Sequence, residues 1–264
     1  MIMQFRNVAR AIKPLEETQG IISSNIANAN TPAYKTLRPE MEDLFPLVYF
    51  EAMTEIDEEA FDVNGRRRRV FTLGQGARIA DITRDMSQGE VKFTNFDTDM
   101  AIQGEGYFRY VRPDGSYTYS RAGNLRKDAD GRLVNLHGQP LDPQIQIPYS
   151  SKDLQVDVQG NVSVLFAGSP LRVQIGKVML AYFPNPAALE LISGNQYLET
   201  AQSGAPRMEL PGTNASVGRI QQFALEQSNV NVVDQMMRMS INQRNYQAAI
   251  RCFKVADAIM KSGI

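Results

Sequence analysis

Residues 232–260 read VVDQMMRMSINQRNYQAAIRCFKVADAIM, and the fold turns on how that run is read. Val232, Met236, Met239, Gln243, Tyr246, Ile250, Phe253, Asp257 and Met260 follow one another by alternating steps of four and three. That spacing is a heptad seam on one side of a helix. Seven of the nine positions are apolar, so the seam has something to bury. Neither Pro nor Gly interrupts the run before Gly263. The helix would be ~45 Å long at about 1.5 Å per residue. Ser228-Asn229 offers a side-chain oxygen to cap its first turn. Lys254 and Lys261 stand near its end, where the helix dipole favours a cation. About two turns of apolar stripe would pack such a helix on its own domain. The length and the regular spacing favour a coiled-coil partner.

A candidate partner lies at the other end of the chain. Phe5, Val8, Ile12, Leu15, Gln19, Ile22 and Ile26 step by threes and fours, and six of the seven are apolar. Pro14 falls inside this pattern, where it removes a donor and crowds the carbonyl four residues back. It predicts either a kink or a helix that starts there, with Phe5 to Ile12 as a separate short element. Gly20 weakens the middle by about 1 kcal/mol relative to Ala. This helix is expected to need its partner in order to form. If the two helices run antiparallel, Gln19 and Gln243 fall at nearly one level. They are then expected either to bond each other across the seam or to point to solvent.

Composition bounds the rest. A chain of 264 residues can hold more than one domain and a sizeable core. The net charge of −1 offers no broad attraction for nucleic acid or acidic lipid. Cys252 is the single cysteine, which excludes an internal disulfide. No run of 18 apolar residues exists, so no membrane span is expected. The N-terminus lacks the apolar core and cleavage site of a secretory signal. Export would therefore need dedicated machinery.

Between the ends the pattern changes. Residues 36–69 read as an irregular extended connector, with an acidic block from Glu51 to Asp62 followed by four arginines, Arg66 to Arg69. From 70 to 225 short alternating runs such as Tyr107–Val111, Leu133–Val134 and Val162–Phe166 recur between turn signals, including Asp130-Gly131 and Gly160-Asn161. The expected class is α+β, an antiparallel β-rich central body with N- and C-terminal helices forming a coiled-coil-like terminal domain. The expected division is 1–35, 36–69, 70–225 and 226–264.

No catalytic, cofactor or metal site stands out. Gly104-Glu105-Gly106 begins like a dinucleotide fingerprint, but position 109 is Arg and no helix pattern follows. Asp128-Ala129-Asp130-Gly131 resembles a calcium-loop fragment without the remaining ligands, so a tight turn is expected. His137 is the only histidine, which leaves zinc or triad chemistry short of groups.

Three strings carry a family resemblance. Asn25, Ile26, Ala27, Asn28, Thr31, Tyr34 and Lys35 resemble the "NNLANxxTxGYK" motif of the bacterial flagellar rod and hook family. Ala33 stands where Gly is usual, which predicts a turn without a positive φ. Asp99 to Phe108, with Gly104 and Gly106, resembles the family's "D-x-A-I-x-G-x-G-F-F" string. Arg121 and Gly123 lie in one like "YTRxGxF", and Gly131 in one like "DxxGxLVxxxG". Ser228-Asn229-Val230-Asn231-Val232, with Gln243-Arg244-Asn245-Tyr246, resembles the C-terminal "SNVN…QRxYE" pattern.

The chain has no room for a hook protein's extra domain. The resemblance is therefore to rod proteins, nearest the distal subunit, with a proximal paralogue as the alternative. Ser203-Gly204-Ala205-Pro206 also points to the distal subunit. The resemblance implies a structural subunit, not an enzyme, that polymerises helically with itself into a hollow drive shaft. It implies proximal rod subunits, hook protein and surrounding ring proteins as neighbours. It also implies delivery by the flagellar export apparatus, without a cleavable signal, to a rod crossing the periplasm. A reading from another class is a soluble β-module, glycan-binding or hydrolytic, that oligomerises through its ends.

Overall fold

The computed structural model describes residues 2–45, 47–50, 70–73, 76–166, 171–213 and 217–262. The expectation for Arg66 to Arg69 lies outside them. The described residues are mainly antiparallel β with one long helix at each end, an α+β chain. No helix among them is long and apolar enough to cross a membrane.

The chain divides into two compact units. The β unit comprises residues 25–36 and 84–232; the helical unit comprises 1–24, 37–83 and 233–264. The Asn25–Lys35 string and the Ser228-Asn229 string both cluster with the β unit.

A seven-stranded sheet organises the β unit. Its middle strands, Tyr107–Val111 and Tyr117–Ser120, pair with Arg109 opposite Tyr119. Leu180–Tyr182 joins on the far side of the first, and Gln196–Leu198 on the far side of the second. Ser151–Val156, Asn161–Phe166 and Arg172–Lys177 form a separate three-stranded sheet. The first two are the hairpin that Gly160-Asn161 signals. Their alternation holds: Val162 and Val164 are fully buried while Asn161, Ser163 and Leu165 are half-buried. Phe108, Tyr110, Leu133, Leu141, Leu154, Val164 and Leu180 belong to one apolar cluster. A second packs Tyr107, Tyr119, Phe183 and Tyr197, with Tyr119 edge-on to Phe183 at 4.8 Å between ring centres.

Two ladders close the unit on its late strands. Arg219–Gln222 pairs with Met100–Gln103, and Ala224–Glu226 pairs with Val91–Phe93. The Asp128–Gly131 string forms a tight turn in which the Gly131 amide donates to the Asp128 carbonyl at 2.9 Å.

In the helical unit, α1 spans Ile2–Ala27 and α2 spans Val232–Ser262. The first runs as one helix through Pro14, whose side chain is buried. The separate element expected at Phe5 to Ile12 is absent, since Ile12 and Pro14 lie in the same helix. Part of the connector is also regular: Leu37–Asp43 pairs with Ala77–Arg84, and Leu47–Phe50 with Val70–Leu73.

Candidate functional site

The three motif strings meet at a buried carboxylate. Ala224, Leu225 and Glu226 alternate inward, outward and inward, so the strand turns Glu226 into the interior. Its side chain is fully buried. Lys35 Nζ donates to Glu226 Oε1 at 2.6 Å and to the Ser87 carbonyl at 2.7 Å. Arg121 Nε donates to Glu226 Oε2 at 2.8 Å. The Gly89 amide adds a bond to Oε1 at 3.0 Å.

Two cations thus share one anion, and the excess positive charge is spread over backbone carbonyls. Arg121 sends its two terminal nitrogens to the carbonyls of Gly106 and Gly104, at 3.1 and 2.9 Å. Burial pulls the Lys35 ammonium below its ordinary pKa, and Glu226 pulls it back up. Such a cluster holds because each charge is both paired and hydrogen-bonded. Removing one member of a buried pair typically costs about 3–5 kcal/mol.

The flanking motif residues support this junction. Asn229 Oδ1 accepts from the Thr36 amide at 2.8 Å and from its hydroxyl at 2.7 Å. Asn229 Nδ2 donates to the carbonyls of Asp85 and Ser87. The side chain is therefore spent on the Lys35 segment, which corrects its expected role as a helix cap. The Ser228 hydroxyl accepts from the Val230 amide at 3.3 Å, before the helix begins.

Tyr34 donates to Asn25, and Thr31 to Asn28, closing the turn after α1. Ala33 adopts φ 58°, so the expectation of a turn without positive φ is overturned. Its amide is held by the Glu226 carbonyl at 2.9 Å and its side chain is buried, so packing imposes a left-handed conformation that Ala adopts at a cost of about 1–2 kcal/mol. Gly123 is required by close approach: any side chain there would strike the Met100 carbonyl.

This geometry joins residues far apart in the chain into one internal brace, and Lys35, Arg121 and Glu226 each lie within a stretch that a family profile matches. The family profile described as "Flagella basal body rod protein" matches residues 7–35. "Flagellar hook protein FlgE/F/G D1 domain" matches 101–164, and "Flagellar basal body rod FlgEFG protein C-terminal" matches 221–264. The flagellar basal-body rod protein FlgG of Borreliella burgdorferi is 33% identical, covering 90% of this chain and 89% of its own length. The chain belongs to the flagellar basal-body rod family. FlgG of Buchnera aphidicola from Acyrthosiphon pisum is 34% identical over 91% of this chain and 90% of its own. FlgG of Bacillus subtilis is 28% identical over 95% and 93%. The chain is thus a structural rod subunit of the flagellar basal body.

In this rod subunit, Lys35 and Arg121 meet at Glu226, Gly104 and Gly106 hold Arg121 through their carbonyls, and Asn229 holds the Thr36 backbone next to Lys35, whereas Gly123 packs against the Met100 carbonyl. Gly131 instead serves its own turn, while Ala27 and Arg244 are exposed. Glu226 itself was missed by sequence reasoning. The available signal was a lone acid on the inward register of a strand, two residues before Ser228, in a chain whose motifs carry two cations.

The helix seams are distributed differently. Ile22 is buried, and Ile12, Leu15, Gln19 and Ile26 are half-buried. On α2, Val232, Met239, Tyr246, Ile250 and Phe253 are half-buried, but Met236 is 56% exposed and Gln243 is exposed. The residues buried between them are Gln235 and Asn242. Asn242 Nδ2 donates to the Leu15 carbonyl at 2.8 Å, and Tyr246 donates to Glu16 at 3.1 Å. Gln243, expected either to bond Gln19 or to point to solvent, is exposed, and within one chain Asn242 takes the inward place beside Leu15. Phe5, Val8 and Met260 lie on the helices, with their side chains outside the described residues.

Proposed function

We propose that this chain is the distal rod subunit, stacking helically with itself into a hollow drive shaft that turns the hook and passes exported subunits through its bore. One observation carries the reading. α2 presents Val233, Met236, Met237 and Ile241 to solvent, each more than half exposed, on the side away from buried Gln235 and Asn242. A helix with one side buried and an apolar stripe exposed on the other is made for two neighbours, and the described residues of one chain cover only the first side. The second is the terminal helix of another copy, so that Phe5, Val8, Ile12, Met236, Met260 and their seam-mates form coiled-coil-like contacts between subunits.

In this reading residues 1–35 and 226–264 supply the terminal helices, 70–225 the body and 36–69 the connector. The chain performs no catalysis. Its neighbours are the proximal rod, the hook protein and the surrounding rings. The flagellar export apparatus delivers it, without a cleavable signal, to a rod crossing the periplasm. Velocity sedimentation of the full chain beside one lacking residues 1–24 and 233–264 tests this. The full chain should polymerise and the truncated one remain monomeric. A small discrete oligomer from the full chain would overturn the proposal.

A further inference from the structure

An open groove of about 560 Å³ lies on the face of the seven-stranded sheet that carries the tyrosine cluster. Arg109, Tyr117, Tyr119, Glu199, Thr200 and Pro206 are among its lining residues. Strand alternation puts Tyr117, Tyr119 and Arg109 on one face, because Arg109 sits opposite Tyr119. The far wall is the loop 199–206, which includes the Ser203-Gly204-Ala205-Pro206 string. That wall is rigid: Ser203 is fully buried, its hydroxyl accepts from the Thr200 amide at 2.9 Å, and its amide donates to the Thr200 hydroxyl at 3.1 Å.

The charges in the groove are unequal. Arg109 is already matched, ion-paired with Asp142 and stacked 4.5 Å over the Tyr117 ring. Glu199 is exposed and has no ion-pair partner among the described residues; its one side-chain bond is a 3.4 Å contact from the Tyr119 hydroxyl. Burial and Glu199 both hold the Tyr119 proton on, which keeps that hydroxyl a donor. The charge without an ion-pair partner among the described residues is one carboxylate, beside two aromatic rings and a Pro-lined wall. A guanidinium fits that set: a planar fork for the carboxylate, a flat cation for the rings and an aliphatic stem for the wall.

We infer that the groove is the receptor for the Arg66–Arg69 run of a second copy of this chain, an inference that rests on the rod reading above. The run is the densest cationic stretch in the sequence, four arginines in succession, and its charge complements the groove. One guanidinium of the run satisfies Glu199, and the remaining charges of the run add to the attraction. The contact is heterologous, a groove on one copy meeting a segment of the next, and such contacts propagate into open helical assemblies.

The test uses a synthetic peptide of residues 62–72 and the full-length chain. Calorimetry should show binding that weakens as salt rises and drops at least tenfold in Glu199→Gln, an exposed change that leaves folding intact. A peptide with Arg66 to Arg69 replaced by Ser should not bind. In the intact protein, Glu199→Arg should weaken polymer formation, and pairing it with Arg66–Arg69→Glu should restore it. Absence of peptide binding, or equal binding to Glu199→Gln, overturns the inference even where polymers still form. Failure of the wild-type chain to polymerise while the peptide binds would instead count against the rod reading and leave the groove's specificity established.

Discussion

In the β unit, Lys35, Arg121 and Glu226 are buried together and matched. In the helical unit, Gln235 and Asn242 are buried while Val233, Met236, Met237 and Ile241 face water. The first arrangement is complete within one chain: Lys35 and Arg121 both pair with Glu226, and each is also hydrogen-bonded to backbone carbonyls. The second is unfinished, because apolar surface stays exposed while amides occupy the covered side. The difference separates two kinds of stability. One is closed within the chain, and the other leaves an apolar stripe exposed, the surface on which the proposed stacking rests.

The strongest way to break this comparison is Glu226→Gln. It leaves two buried cations without their anion and should lower the unfolding free energy by about 3–5 kcal/mol. Denaturant unfolding of the full chain, followed by its tyrosine signal, measures it. A loss below about 1 kcal/mol would mean that the junction does not brace the unit.

Alkali should come next in effect. Burial pushes Tyr119 and Tyr197 up to about 12, and also raises Tyr107 and Tyr110 from the ordinary value of 10.0. The unfolded chain releases these protons near pH 10 while the folded chain keeps them. Their contribution is full below pH 10 and is lost as pH climbs toward 12 and beyond. Lys35 acts with the opposite sign. Its lowered pKa makes stability rise as pH approaches its ordinary 10.5. The denaturation midpoint should therefore hold up to about pH 10 and then fall steeply. Tyr197→Phe should make that fall shallower; a flat midpoint to pH 12 would remove the buried tyrosines from the account.

The third comparison changes only the unfinished surface. Replacing Met236 and Met237 together by Gln should leave β-unit stability within about 0.5 kcal/mol of the wild type, since both side chains are exposed. Polymer formation, followed by sedimentation, should fall sharply. Undiminished polymers would mean that the exposed stripe is not a contact.

The smallest effect distinguishes neighbouring amides. Asn242→Ala removes the bond to the Leu15 carbonyl and should cost the helical unit about 1 kcal/mol. Gln243→Ala, on the exposed side, should be close to neutral in the same thermal melt by circular dichroism.

Local pattern alone was enough for several elements. Alternation and turn residues located Tyr107–Val111 and Leu133–Val134 to the residue, and periodicity located both helices. The motif strings carried the family, because order and spacing are properties of the chain. Which side of α2 turns inward was decided by the tertiary structure. A heptad seam through Met236 and Gln243 is apolar on paper, but the helix buries Gln235 and Asn242 and sets Asn242 against its neighbour. The Asn242 bond to the Leu15 carbonyl is one term that no apolar count includes.

Ala33 makes the same point at one residue. Its propensity argues against φ 58°, yet the Glu226 carbonyl and close packing hold it there. Glu226 is the clearest case. Nothing within ten residues explains a buried acid. Its two cations lie 191 and 105 positions away, and only the folded β unit brings them to it. Periodicity and propensity are local, so residues determine them wherever they stand. The pairing of charges across a core is a property of the closed fold.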